Sequence, residues 1–240
     1  MKSVVLVSGG LDSAVCLAMA VDKYGAQNVI ALNMFYGQKH EKEQQCAEYL
    51  CKHYSVKLIN ADLSSCFNFS NCPLLQGNGE LDHRDYAEQV EETNGERAVA
   101  SYVPFRNGLF LSYAAAIAYS FGADTVYYGA HADDAAGSAY PDCSAEFKDT
   151  MSKAIYLGTG NSVRVEAPFV ECNKAGIVKK GLELGVPFEH TWSCYEGHVK
   201  ACGTCGTCRD RQRAFIANDM EDPIEYEERL VWGQTFDPNC

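Results

Sequence analysis

A polar, glycine-containing hexapeptide, SGGLDS, at residues 8–13 limits the possible folds more than any other part of the sequence. It follows the apolar run VVLV at residues 4–7, which is typical of a buried strand in a parallel sheet. Apolar residues then recur at helical spacing from Ala14 to Val21, and they predict a helix that begins near Asp12 or Ser13. The chain therefore opens with a strand, a tight turn and a helix.

The hexapeptide has the composition of a phosphate-binding loop. The first turn of a helix presents unpaired N–H groups and the positive end of the helix dipole, which favour anions. Gly9 and Gly10 allow a positive φ and a close approach of ligand, and the flanking serines add hydroxyl donors. An ordinary strand-to-helix turn, capped by Asp12 or Ser13, is the alternative. The phosphate-binding interpretation assigns ligand contacts to Ser8, Gly9, Gly10, Leu11, Asp12 and Ser13.

The type of loop can be narrowed by what it lacks. No lysine follows the glycines as in a Walker A loop, and no third glycine completes a dinucleotide fingerprint. S-G-G-x-D-S instead resembles the loop of the N-type ATP pyrophosphatases, or PP-loop enzymes, which cleave ATP between the α and β phosphates and transfer AMP to a substrate oxygen. The resemblance implies ATP as a co-substrate with Mg²⁺, catalytic roles for Asp12 and Ser13, and an approach of Asp12 to the metal.

Strand and helix patterns alternate along the chain and predict an α/β fold, a doubly wound parallel sheet with helices on both faces. Strands are predicted at residues 4–7, 29–35, 56–60, 125–128 and 162–167, and further helices at 39–53, 108–121, 145–157 and 173–184. Ligands bind at the carboxyl ends of such strands. We therefore expect SGGLDS, FYGQKH, VPFRN and GAHADD to meet at one cleft.

Two parts of the chain stand apart from this alternation. Residues 64–100 are polar and rich in turn signals, and they predict a partly mobile insertion in the main domain, residues 1–190. Residues 191–240 begin with a cysteine-rich stretch and are predicted to form a small zinc-binding region packed on the same domain.

Four cysteines in that region have the spacing C-x₇-C-x₂-C-x₂-C: Cys194, Cys202, Cys205 and Cys208. Four thiolates at this spacing can close a tetrahedral shell around one Zn²⁺ per chain, and a shell with no open position suits a structural site. An iron–sulfur cluster and a set of unligated thiols are the alternatives.

Composition excludes several classes of protein. The net charge is −12, from 32 acidic and 20 basic residues, which argues against a nucleic-acid binder. No apolar run approaches the length of a membrane span, and no export signal is expected at the first strand. Twelve cysteines without such a signal favour metal binding in a reducing cytoplasm over a disulfide framework.

Further polar residues fall where the cleft is expected. Arg106, at a predicted helix start, suits a phosphate or carboxylate. Lys174 could neutralise phosphate, although a surface lysine is equally compatible with its position. In FYGQKHEKE, residues 36–40 could approach nucleotide or substrate, whereas residues 41–43 are predicted to form a solvated helix start. The loop at residues 129–143 is polar, but its spacing assigns no catalytic base.

Taken together, these motifs resemble the 7-cyano-7-deazaguanine synthase family over nearly the whole chain. The segments that show the resemblance are SGGLDS, FYGQKHEKE, VPFRNGLFLSYAAAIA, GAHADDAAGSAYPDC, TWSCYEG and CGTCGTC. The resemblance implies a ligase that converts 7-carboxy-7-deazaguanine, ammonia and ATP to 7-cyano-7-deazaguanine in queuosine biosynthesis, usually as a homodimer. It implies that Arg106, Tyr140 and Asp142 face the substrate. GAHADDAAGSAYPDC departs from the shorter form common in the family, which leaves individual roles in that loop open.

Two other functions are compatible with these motifs. A PP-loop enzyme that thiolates tRNA would also carry cysteines, but the acidic charge and the lack of a basic extension count against it. A zinc-stabilised nucleotide-binding protein without turnover is the second alternative. No glutaminase motif is present, so the expected nitrogen source is free ammonia or a separate supplier.

Overall fold

A single parallel sheet organises the chain, for which a computed structural model describes residues 1–84, 86–92 and 97–230. The strand order is β3-β2-β1-β4-β5. The strands are β1 (Ser3–Leu6), β2 (Val29–Phe35), β3 (Lys57–Asp62), β4 (Thr125–Tyr127) and β5 (Arg164–Glu166). All four pairings are parallel. The first strand lies at the centre of the sheet, which explains why its sequence is an uninterrupted apolar run.

Helices cover both faces of the sheet. They are α1 (Leu11–Tyr24), α2 (Lys42–His53), α3 (Tyr86–Glu92), α4 (Arg106–Phe121), α5 (Ala132–Ala135), α6 (Ala145–Gly158), α7 (Lys174–Glu183) and α8 (Gly206–Ile216). Helices α1, α2, α7 and α8 bury apolar side chains on one face, and α4 and α6 do so on the other. The doubly wound prediction is confirmed. No helix among the described residues has both the length and the apolar composition needed to cross a bilayer.

Residues 64–100 contain structure of their own. A 3₁₀ turn spans Ser64–Phe67. Buried side chains form a small cluster against the start of α4, namely Phe67, Cys72, Leu74, Leu75 and Val103. A bridge between Gln38 and Leu75 ties this segment to the loop after β2. Residues 85 and 93–96 lie outside the described residues, and the mobility of this segment stays a prediction.

Helix α8 was not predicted from the sequence, because its residues were interpreted only as a cysteine-rich tail. Its inner face carries Ala214 and Phe215 into the main core, where the Phe215 and Phe188 rings meet edge to face at 5.2 Å. The cysteine-rich segment is thereby attached to the α/β domain through a shared core. The last ten residues of the predicted C-terminal region, 231–240, lie outside the described residues.

Candidate active site

The SGGLDS loop turns between β1 and α1 and is held by its own serines. The Ser13 hydroxyl donates to the Gly10 carbonyl at 3.0 Å, and the Gly10 N–H donates to Ser8 Oγ at 3.1 Å. The two serine hydroxyls lie 3.1 Å apart. The N–H groups of the first turn of α1 lack intrahelical acceptors, as at any helix start. The loop is therefore preorganised, with donors at the edge of a cleft into which Ser8, Gly10, Asp12 and Ser13 all face.

Gly9 is required by a close approach of two backbones. Its φ is +98°, and a Cβ at this position would lie 1.9 Å from the carbonyl oxygen of Glu43 in α2. The Gly9 carbonyl accepts a hydrogen bond from the N–H of Trp192 at 3.0 Å. Leu11 is 1% exposed and belongs to the core. Gly9 and Leu11 thus support the loop from behind, whereas the other four residues of the predicted set line the cleft.

Asp12 lies between two basic side chains. Its Oδ2 is 3.6 Å from Lys174 Nζ and 3.8 Å from Nε2 of the fully buried His131. The same His131 nitrogen lies 3.2 Å from Asp134 Oδ2. Burial would lower the pKa of Lys174, but the carboxylates of Asp12 and Asp134 raise it above its usual value. Lys174 therefore keeps its positive charge at the cleft, where a phosphate group can bind it.

Arg106 and Tyr36 form another part of the cleft lining. Arg106 Nη1 donates to the Tyr36 hydroxyl at 3.2 Å, and its guanidinium carbon lies 5.1 Å from the centre of the Tyr36 ring. Burial would lower the pKa of Arg106, but Tyr36 and Asp142 raise it. The Tyr36 and Phe110 rings meet edge to face at 5.8 Å. This part of the lining therefore offers aromatic surface and a charged, anion-binding fork.

Tyr140 and Asp142, which the resemblance places against substrate, lie behind the cleft wall. Asp142 is 4% exposed, and its Oδ2 accepts a 2.9 Å hydrogen bond from the Asn107 N–H at the start of α4. The Tyr140 hydroxyl lies 3.3 Å from that of Tyr195, which does line the cleft. Asp142 and Tyr140 therefore contact residues that line the cleft, but neither lines the cleft itself.

Several cleft residues lay outside the predicted set. The group comprises Glu43, Trp192, Ser193 and Tyr195, which line the cleft, and the buried His131, which lies against Asp12. The solvated interpretation of Glu43 was wrong, because α2 begins at Lys42 and packs its first turn on Gly9. His131 belongs to the loop whose polar composition pointed to the cleft, but spacing could not separate it from Asp133 and Asp134. The remaining three fall in or beside TWSCYEG.

The four predicted cysteine ligands converge. Their Sγ atoms all lie within 4.8 Å of one another, and all four residues are buried. Backbone N–H groups of Cys202 and Glu196 donate to Cys194 Sγ at 3.3 and 3.4 Å, as thiolate sulfurs require. With Zn–S bonds of about 2.3 Å, tetrahedral sulfurs lie about 3.8 Å apart. The group can hold one metal ion, and an iron–sulfur cubane, with each thiolate on a different iron, would need a wider spacing.

Among the described cysteines outside this group, one differs from the rest. Among the described residues ten cysteines, including the four candidate ligands, carry free thiols. Cys172 is disulfide-bonded and so differs from these free thiols. Cys143 lines the cleft as a free thiol, and burial raises its pKa well above the usual value. A thiol in that state is a poor nucleophile.

Comparison with known proteins identifies relatives over almost the whole chain. The family described as "Queuosine biosynthesis protein QueC" matches residues 2–219. A 7-cyano-7-deazaguanine synthase of Archaeoglobus fulgidus is 43% identical over 229 residues, which are 95% of this chain and 91% of the relative. Its counterpart in Thermoplasma acidophilum is 42% identical and covers 95% and 92% of the two chains. That of Caldicellulosiruptor bescii is 39% identical, over 97% of this chain and all of the relative.

Proposed function

The chain belongs to the queuosine biosynthesis protein QueC family, and from this membership we propose its reaction. It is an ATP-dependent ligase that converts 7-carboxy-7-deazaguanine and ammonia to 7-cyano-7-deazaguanine. The observation that carries the proposal is full-length similarity to relatives named for that product. The cleft supports it, since candidate phosphate-binding and carboxylate-binding groups line the same cavity.

The chemistry matches the charged groups of the cleft. A carboxylate is a poor electrophile. Its attack on the α phosphate of ATP expels pyrophosphate and creates an acyl adenylate, from which AMP can leave. Ammonia displaces AMP to give the amide. The amide oxygen attacks a second ATP, and loss of AMP and the N–H protons leaves the nitrile. Preorganised donors that line the cleft favour each step.

We assign the ATP phosphates to the SGGLDS loop and Lys174. The first-turn N–H groups and the serine hydroxyls offer donors, and the Lys174 ammonium offers charge. Asp12 Oδ1 is buried and receives no hydrogen bond from any described residue, which suits a cation ligand. Bound Mg²⁺ would neutralise phosphate charge, and Asp12 with Asp134 would hold it. We assign Arg106 to the substrate carboxylate, which its guanidinium would bind while that carboxylate is activated.

We assign the four-cysteine group to one structural Zn²⁺ per chain. Four soft ligands with no open position suit zinc, and the site fastens the segment that carries Trp192 and Tyr195 to the cleft. We further propose that the protein acts as a cytoplasmic homodimer on small molecules alone. The acidic charge supports the exclusion of nucleic acid as a partner.

Product analysis tests the reaction. The purified protein is incubated with 7-carboxy-7-deazaguanine, ammonium and MgATP, and products are identified by mass spectrometry. We expect 7-cyano-7-deazaguanine together with AMP and pyrophosphate. ATP cleavage that does not depend on the deazapurine acid, or product formation that requires sulfide and tRNA, would contradict the proposal.

A further inference from the structure

Glu43 places a carboxylate in the wall of the cleft. The residue lies in the first turn of α2 and lines the cleft with Tyr36 and Arg106. No hydrogen bond or ion pair joins its carboxylate to another of the described residues. Burial raises the pKa of Glu43 to about 7, although the charge of Arg106 acts to lower it.

A desolvated carboxylate without donors is costly, and a ligand that supplies donors removes that cost. Two adjacent donors on a ligand favour the ionised form of this carboxylate, whose two oxygens then both accept hydrogen bonds. The neighbouring surface is aromatic, with the Tyr36 and Phe110 rings 5.8 Å apart, and it suits a flat heterocycle. The lining of the cleft is therefore complementary to a planar ligand that carries two neighbouring N–H donors.

Of the two heterocycles in the proposed reaction, one has this pattern. The pyrimidinone edge of a guanine-type base carries a ring N–H beside an exocyclic amino group. Adenine offers an amino group beside a ring nitrogen acceptor, which a carboxylate would repel. In 7-carboxy-7-deazaguanine the donor edge lies at the opposite end of the base from the carboxyl group. Arg106, which belongs to the same cleft but forms no ion pair with Glu43 among the described contacts, can hold that other end.

We infer that Glu43 accepts hydrogen bonds from the ring N–H and the 2-amino group of the deazapurine substrate, and so sets specificity for a guanine-type base. The inference rests on the proposed function and adds a specificity-determining residue to it. Glu43 makes no bond and breaks none in this role. Its effect falls on binding of the base, not on the activation of ATP.

The test combines one variant with one altered substrate. The Glu43→Gln variant replaces one acceptor oxygen by an amino group of nearly the same shape. The substrate analogue, 7-carboxy-7-deazahypoxanthine, lacks only the 2-amino group. Glu41→Gln is the matched control, because Glu41 is an exposed acid just before the same helix. KM and kcat for both deazapurines and for ATP are measured, with the nitrile quantified by mass spectrometry.

We expect Glu43→Gln to raise the KM for 7-carboxy-7-deazaguanine roughly 10- to 100-fold and to leave the KM for ATP unchanged. The wild type should prefer the amino-bearing substrate by a similar factor, and the variant should lose that preference. Glu41→Gln should behave as wild type. Glu43→Asp, which keeps a carboxylate, should bind more weakly but retain the preference, and it serves as the test where the Gln variant does not fold.

Three results would overturn the inference. The first is a rise in the KM for ATP alone, which would assign Glu43 to adenine. The second is an unchanged preference for the 2-amino group in a folded Glu43→Gln protein. The third is a fall in kcat with unchanged KM, which would assign proton transfer instead. These outcomes all presuppose nitrile formation by the wild type, whose absence would overturn the proposed function as well.

Discussion

Lys174 Nζ lies 3.6 Å from Asp12 Oδ2, and this pair joins the starts of two helices at the carboxyl edge of the sheet. Asp12 belongs to the first turn of α1, and Lys174 is the first residue of α7. The positive helix ends and the lysine charge therefore converge on the point where the SGGLDS loop faces the cleft. A polyphosphate is the ligand that such an arrangement favours.

Removal of the lysine charge should impair ATP use. Lys174→Met keeps much of the side-chain volume, and we expect kcat/KM for ATP to fall roughly 10²- to 10³-fold, because a preorganised donor to the phosphates is lost. The measurement is release of pyrophosphate in the presence of the deazapurine acid. The control is Lys179→Met, an exposed lysine of the same helix. Equal activity of the two variants would remove Lys174 from the phosphate site.

Asp142, a buried acid beside the start of α4, should act by holding the first turn of this helix, and with it Arg106, in place. Asp142 accepts the Asn107 N–H at 2.9 Å and the Asn107 side-chain amide at 3.2 Å, one residue from Arg106. Asp142→Ala leaves the Asn107 N–H without its acceptor, whereas the Asn107 side chain keeps the Asp142 carbonyl and Cys143 Sγ. We expect a loss of about 1–2 kcal/mol in the free energy of unfolding, as for a lost helix cap. We also expect the KM for the acid to rise more than the KM for ATP.

Urea unfolding and steady-state kinetics measure these two effects. Asp149→Ala is the control. It makes the same chemical change at an exposed position on α6, where the carboxylate has no buried partner. If Asp142→Ala were as stable as the control and still inactive, the carboxylate would have to act on the substrate directly, as the family resemblance first suggested.

The phosphate loop could be predicted from the sequence because all its parts are contiguous. A strand, two glycines and two serines in one stretch specify the turn and its donors without knowledge of the rest of the chain. The cysteine ligands were predictable for the same reason, because their spacing lies within one segment. The parallel sheet followed from the alternation of periodic segments.

Other features required the fold because their partners are distant in sequence. Glu43 reaches the cleft only because Gly9 allows α2 to pack on the loop. Helix α8 carries Arg211, which is fully buried and pairs with Asp222 through contacts of 2.7 and 3.0 Å. A sequence with charges at these positions indicates an exposed segment. The ion pair between Arg211 and Asp222 offsets the cost of burying the two charges, and only the fold shows that the two residues are in contact.

Loss of one cysteine ligand should release the metal. Cys205 is buried within the four-thiolate group and precedes α8. We expect about one zinc per chain in the native protein and well under that in Cys205→Ser, with a lower melting temperature, because metal binding is coupled to the folding of this segment. Elemental analysis and thermal unfolding provide the two measurements.

Cys66→Ser is the control for this variant, because Cys66 is an exposed free thiol outside the group. It should keep full zinc content and the native melting temperature. Iron with visible absorption in the native protein, or full zinc occupancy in Cys205→Ser, would contradict the zinc assignment.

The route to the nitrile makes the primary amide an intermediate, and this can be tested directly. The sequence contains one SGGLDS loop, and we propose that both activations share the cleft that this loop faces. Acid and amide have the same heavy-atom shape, and Arg106 can approach the oxygen of either. We therefore expect 7-amido-7-deazaguanine to yield the nitrile with ATP and without ammonia, at a cost of one ATP per product.

An oxygen label decides whether adenylation is the means. When the amide oxygen attacks the α phosphate, it leaves the substrate with AMP as the C≡N bond forms. Amide labelled with ¹⁸O should therefore give unlabelled nitrile and AMP that carries the label, together with pyrophosphate, whereas a reaction without ATP should leave the amide unchanged. An inert amide, ADP and phosphate as products, or label released as water would each contradict the mechanism even where the acid is converted to the nitrile.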